Sequence, residues 1–265
     1  MDGGALSARA RLAPAALRRM LKQAMRRTTG RFGFQLVNSD NAAKSLLRFH
    51  LSRIFAVNAI DCVIDVGANR GQYVDFLRRE VGYRGPIHAF EPLPDLAAGL
   101  RRRFQGDSAV QIHAFALGSA DGECQFNRME VDEYSSLLTP STREAREHGG
   151  KNVVRERLAL PMRTLDGLCR SGALPLAAQR VYLKLDTQGY DLEVLNGARV
   201  TLSRVAALQT EAAFLRIYEG MPGFIETFSR LKELGFSPSG LFPVSVDAGC
   251  RLIEADCVFS RGGSG

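Results

Sequence analysis

Residues 62–73 read Cys62-Val63-Ile64-Asp65-Val66-Gly67-Ala68-Asn69-Arg70-Gly71-Gln72-Tyr73. Five residues, apolar but for one acid, fit a short strand buried on both faces. Two glycines four apart follow, and Gln72 opens a stretch with helical spacing. A buried strand that ends in a glycine turn and runs into a helix opens a βαβ unit, whose strand ends hold ligands. The dinucleotide pattern G-x-G-x-x-G is not met. The spacing here is Gly67-x-x-x-Gly71, and Asp65 stands two residues before the first glycine. A carboxylate repels a pyrophosphate and attracts an ammonium or a sulfonium.

Outward from this stretch the rhythm is regular. Strands are expected at Cys62–Val66, Ile87–Phe90, Val110–Phe115, Val181–Leu185, Ala206–Thr210 and Cys257–Phe259. Helices are expected at Gln72–Glu80, Pro94–Phe104, Leu192–Leu202 and Phe224–Leu234. Short apolar strands each followed by a helix predict parallel pairing with crossover helices, an α/β doubly wound sheet. The rhythm breaks between Asp121 and Pro161, a polar stretch too long for an ordinary connection, which predicts an insertion or lid at about 121–161.

At 265 residues with 45% hydrophobic and 24% charged residues, the chain fits one large globular domain with an added segment. No apolar run is long enough to span a membrane, and no secretory leader is expected. The five cysteines are scattered and form no C-x-x-C pair. Neither a disulfide framework nor a structural zinc site is expected, which fits a cytoplasmic protein. Residues 1–31 hold eight basic side chains against Asp2 alone, a net +7 that equals the charge of the whole chain. The balanced remainder argues against nucleic acid as a partner. Leu17, Met20, Leu21, Ala24 and Met25 line one face of a helix between Pro14 and Gly30. That face suits packing on the main domain, a homodimer contact, or peripheral binding to an anionic membrane. The division expected is a basic helical extension over 1–57 and a catalytic domain over 58–265.

Each strand end carries a chemical group: Asp65 and the glycine loop, Glu91 in Phe90-Glu91-Pro92, Ala116-Leu117-Gly118, Asp186 in "LKLDTQGYD", and Glu211. Glu91 lies 20 residues after Gly71, where an acid accepts ribose hydroxyls. A ribose acid and a glycine loop without a phosphate grip point to S-adenosylmethionine. Asp65 either orders the loop, caps the first helix, or binds the cofactor's amino group.

These segments together resemble the FkbM family of S-adenosylmethionine-dependent O-methyltransferases. The residues that carry the likeness are "VIDVGANRGQY", "FEPLP", "FALGSADGE", "SSLL", "TLDGL", "VYLKLDTQGYDLEVLNGA", "QTEAAFLRIYEGMPGF" and "EADCVFSR", in family order from Cys62 to Arg261. The resemblance implies a class I methyltransferase, Rossmann-like sheet. It implies cofactor contacts at Asp65, Gly67, Ala68, Asn69, Gly71, Glu91, Ala116 and Leu117, to which Tyr73, Pro92 and Asp186 add themselves by position. It also implies transfer to a hydroxyl, often of a sugar in an oligosaccharide, glycolipid or glycosylated natural product. The chain departs from the family's D-x-E-G-x-E: it has Asp186, Gln188, Gly189 and Asp191.

Methyl transfer to a hydroxyl needs the oxygen lined up behind the methyl group and a base for its proton. Asp186, His148 and Glu211 are the candidates, and the sequence does not choose among them. Asp186 and Glu211, on adjacent strand ends, also suggest Mg²⁺ bridging a vicinal diol. Tyr218 is read either as a platform for a sugar face or as a buried loop residue, and Ser135 and Ser136 as hydrogen-bond donors. The rival readings are methylation of a non-sugar hydroxyl, a dehydrogenase, and a non-catalytic membrane-associated binding module.

Overall fold

The structure, a computed structural model, describes residues 42–141, 153–176 and 180–261. The basic segment of residues 14–30 and His148 lie outside them. The chain divides into two units, Met1–Ser45 and Leu46–Gly265; apart from the first residues of its first helix, the architecture below is that of the second.

Helix α1 (Ala42–Val57) buries Leu47, Leu51, Ile54 and Phe55, an i, i+4, i+7, i+8 stripe. After it come β1 (Cys62–Val66), α2 (Gln72–Phe76, extended by a π turn over Leu77–Val81), β2 (Ile87–Phe90) and α3 (Pro94–Arg103). Next are β3 (Val110–His113), β4 (Ala116–Leu117), β5 (Gly122–Met129), β6 (Val154–Arg163) and α4 (Leu165–Arg170). The remainder is β7 (Val181–Leu185), α5 (Asp191–Asn196), β8 (Val205–Ala213), α6 (Phe224–Glu233), β9 (Phe236–Val246) and β10 (Leu252–Arg261).

Seven strands form one sheet in the order β3-β2-β1-β7-β8-β10-β9. The first five are parallel, and β10 runs antiparallel between β8 and β9. Strand order reverses between β1 and β7, so their carboxyl ends open the crevice where α/β sheets bind ligands. Alternation along the strands builds two cores. Cys62, Ile64, Val66, Leu183, Leu185 and Leu208 pack under α4, α5 and α6, whereas Val63, Tyr182, Ala207 and Val258 pack under α1 and α2.

Two expected element ends need correction. The strand expected to reach Phe115 stops at His113, and Ala116–Leu117 join a second sheet of order β4-β6-β5. The helix expected over Leu192–Leu202 ends at Asn196, and Gly197, its C-cap, lies so close to the chain at Gly118 that a Cβ there would be 2.0 Å from the Gly118 carbonyl oxygen. Of the insertion expected at about 121–161, the described residues 121–141 and 153–161 are built on the long antiparallel pair β5–β6. Strand β9, at the sheet edge, was not foreseen.

Candidate functional site

The register between β1 and β7 sets Asp65 directly beside Lys184. Both point to the face under α1 and α2. Asp65 is wholly buried, and Lys184 Nζ lies 3.3 Å from its carboxylate. Among the described residues, neither Asp65 oxygen has a well-aligned hydrogen bond beside this ion pair. Burial pushes the Asp65 carboxyl above its ordinary range, and the lysine charge pulls it back only in part. For Lys184, burial alone lowers the ammonium, but Asp186 and Asp65 overturn that and raise it. Lys184 also reaches Asp186 at 3.0 Å and lies 5.1 Å from the centre of the Tyr73 ring. Asp65 thus acts on Lys184 and the loop base from inside the core.

The chain then turns sharply. Gly67 and Gly71 both have φ of +81°, and Asn69 has φ of +47°. Gly67 is required twice over. Its φ is left-handed, and a Cβ on it would lie 1.9 Å from the Asp186 carbonyl oxygen, because the β1 and β7 loops touch there. Glu91, 4% exposed, binds two loops at once. One oxygen accepts from the Asn69 amide at 2.8 Å and the other from the Leu93 amide at 2.9 Å. Burial pushes its carboxyl up to about 7, against the pull of those two amides. Ala68 is buried under the turn, and the side-chain oxygen of Asn69 is enclosed without a partner among the described residues. Ala116 and Leu117 are buried in β4, Pro92 is half-buried beyond Glu91, and the Tyr73 hydroxyl donates to Gln209 at 2.8 Å.

On the far side of the switch point, Asp186 follows β7 with its side chain 39% exposed. Gln188 joins it to Glu211: the amide nitrogen lies 3.1 Å from Asp186 Oδ1 and 3.1 Å from Glu211 Oε2. Burial raises the Glu211 carboxyl well above its ordinary value, and the charges of Asp186, Glu254, Asp256 and Asp191 add to the effect. Asp191 is buried and accepts from the Thr187 backbone amide and from the Thr187 and Thr210 hydroxyls, so it fixes the turn into α5.

These placements bring the sequence-predicted acids together and revise two roles. Mg²⁺ between Asp186 and Glu211 does not fit the residues present, since an amide that donates to both carboxylates occupies the bridge. Among the described residues no group of three His, Cys, Asp or Glu side chains is arranged to hold a metal. Tyr218 is 1% exposed and packs with Met129, Ile217 and Met221, so its ring offers no face to a sugar. Ser136 donates to the Gln188 carbonyl at 2.8 Å, and Ser135 Oγ accepts from the Met129 amide at 3.1 Å. The insertion is moored to the glycine loop as well. Arg70 pairs with Asp132 at 2.7 Å, and the Gln72 amide donates to Glu133.

Sequence reasoning missed Lys184. The signal was there: "VYLKL" and "CVIDV" are buried strands that each carry one charge, and such charges are rarely buried unpaired. It also missed the polar row that continues from Lys184 through Gln209 to Asp256, whose carboxyl burial pushes to about 6. Among the described residues no helix is long and apolar enough to cross a membrane.

The family model of the methyltransferase FkbM domain matches residues 65–238. No curated protein matches. Among solved structures, the methyltransferase FkbM from Methylobacillus flagellatus is 15% identical, with a TM-score of 0.47 over 76% of this chain; the chain spans 43% of that protein's length. A Streptococcus mutans protein, crystallised with S-adenosylhomocysteine, is 13% identical, with a TM-score of 0.43 over 86% of this chain and all of its own. Aeropyrum pernix fibrillarin, with bound S-adenosyl-L-methionine, is 10% identical, with a TM-score of 0.41 over 75% of this chain and 66% of its own.

Proposed function

The chain belongs to the FkbM methyltransferase family, and from that premise we propose that it moves the methyl group of S-adenosylmethionine onto a hydroxyl of a neutral sugar or similar polyol. The observation that carries the reading is Glu91, whose carboxylate sits under two loops at the switch point beside the tight Gly67–Gly71 turn. A phosphate-binding crevice would put donors and cations there. The Glu91 carboxylate suits a ligand that brings ribose hydroxyls.

Glu91 has lone pairs beyond those used by Asn69 and Leu93, and these can accept from a ribose diol. The enclosed, unpartnered Asn69 side-chain oxygen fits a donor on the same ligand. Gly67 and Gly71 let the backbone come close. S-adenosylmethionine, when bound, supplies an electrophilic methyl on a sulfonium whose charge vanishes as the methyl leaves.

The acceptor lies over Asp186, Gln188 and Glu211, a floor of hydrogen-bonding groups suited to a polyol. As its oxygen bonds to the methyl carbon, its proton passes to Glu211. A carboxylate with raised proton affinity is, once ionised, the stronger base toward a weakly acidic hydroxyl. Asp186 is engaged with Lys184 and Gln188 and orients the floor.

Calorimetric titration with S-adenosylhomocysteine tests the cofactor half. Wild type binds, and Glu91→Ala weakens binding at least about tenfold, the effect of losing one charged hydrogen bond. Binding by neither protein refutes the proposal. With the cofactor secured, methyl transfer from labelled S-adenosylmethionine is screened on short neutral glycosides beside non-sugar alcohols. Transfer to the alcohols alone overturns the sugar assignment.

A further inference from the structure

The left-handed Gln188, φ +53°, is a non-glycine residue in a conformation that costs about a kcal/mol. It is held there from several sides. Its carbonyl accepts from Ser136 Oγ at 2.8 Å, and Ser136 is itself wholly buried and paired with the Asn127 backbone in both directions. Its side-chain oxygen lies 3.3 Å from the Tyr218 hydroxyl. Its side-chain nitrogen spends its donors on two carboxylates, Asp186 and Glu211, on the ends of adjacent strands. The reverse amide orientation would set an oxygen against both carboxylates.

We propose that Gln188 is the positioning residue of the acceptor floor: its amide binds Asp186 and Glu211 into one hydrogen-bonded unit and fixes the protonation range over which Glu211 works. The inference rests on Glu211 as the proton acceptor assigned above.

The surroundings of Glu211 make the amide decisive. Asp186 faces it from the end of β7, Asp191 from the start of α5, and Glu254 and Asp256 from β10. Tyr134 and Tyr218 approach from the loops. The nearby cation, Lys184, is engaged by Asp65 and Asp186. Among the described residues Gln188 is the hydrogen-bond donor that reaches the Glu211 carboxylate. A donor favours the ionised form of the carboxylate it binds. The insertion enters through the same residue, because Ser136, which bonds the Gln188 carbonyl, belongs to it.

The test is a carbon-13 NMR titration of glutamate side chains in the full chain, without cofactor or acceptor. Glu211→Gln identifies the Glu211 signal. Gln188→Leu removes the donor and is expected to move the Glu211 midpoint up by about one pH unit, the effect of one hydrogen bond to the charged form. Gln188→Glu, of the same shape, adds a third carboxyl and also moves it up. A Glu211 midpoint within about 0.3 units of wild type in both variants overturns the proposal. If Gln188→Leu does not fold, judged by circular dichroism, Gln188→Met, which lacks the donor and adds no charge, decides by the same criterion. The titration requires no cofactor, so its failure is separate from a failure to bind S-adenosylhomocysteine.

Discussion

Replacing Lys184 by methionine removes one ammonium and leaves Asp65 in the core without its counter-charge. Asp65 has no exposed surface, Lys184 is 7% exposed, and the pair is separated by 3.3 Å. At an effective dielectric of about 20, that separation is worth about 5 kcal/mol of attraction. Breaking a buried pair from one side costs about 3–5 kcal/mol in practice, because the remaining charge is stranded. Among the described residues no other hydrogen bond softens the loss at Asp65. The second pair, to Asp186, adds little, since that carboxylate is 39% exposed and water replaces the lysine. Lys184→Met is therefore expected to lose about 3–5 kcal/mol at pH 8, a large part of the stability of an ordinary domain.

The loss depends on pH with a definite sign. Without Lys184 the Asp65 carboxyl rises further above its ordinary value of 3.8. A group whose folded value is raised contributes stability that is full below its unfolded value and is lost as pH rises through the folded one. The gap between wild type and Lys184→Met is thus small near pH 4 and full at pH 8. Urea unfolding followed by circular dichroism at both pH values measures it. The double variant Lys184→Met/Asp65→Asn, with no stranded charge, should recover at least half. A single variant within about 1 kcal/mol of wild type at pH 8, or a double variant no better than the single, would refute the reasoning.

Two further outcomes follow from the loops. Gly67→Ala meets the Asp186 carbonyl at 1.9 Å from a left-handed backbone, so the β1 and β7 loops must part by about 1 Å or more; affinity for S-adenosylhomocysteine should fall more than about tenfold, and calorimetry showing full affinity contradicts the contact. Glu91, held at about 7 by burial against an ordinary 4.5, favours the folded state below pH 4.5 and loses that contribution as pH rises through 7, by at most about 3 kcal/mol; melting temperature should decline from pH 5 to 8 in wild type and decline less in Glu91→Gln, and equal slopes would locate the effect elsewhere.

The parallel half of the sheet was legible because its strands are apolar runs with a sharp beginning and end. "CVIDV", "IHAF" and "VYLKL" coincide with the strands observed. Strand β9 was not, since "FSPSGLFPVSV" holds two prolines and a glycine and lies at the sheet edge, where missing ladder donors are tolerated. Phe115 reads as a continuation of β3, yet the chain leaves one sheet for another just before Ala116, a choice made by pairing with Met162 and Arg163 far along the sequence. The acids at the strand ends were legible one by one. Their partners were not: that Gln188 occupies the gap between Asp186 and Glu211, or that Asp65 faces Lys184, depends on register, which a linear pattern does not carry.

The two bonds of Glu91 have a mechanical consequence. One carboxylate grips the first turn after β1 and the first turn after β2, and Gly67 wedges the former against the chain leaving β7. Three loops from three strands are thereby clasped into a single jaw. None of them swings open by itself: a movement that frees the Asn69 amide loads the Leu93 amide through the same carboxylate. In hydrogen exchange these two amides should open at one common rate, and a ligand that tightens on either loop should slow both together.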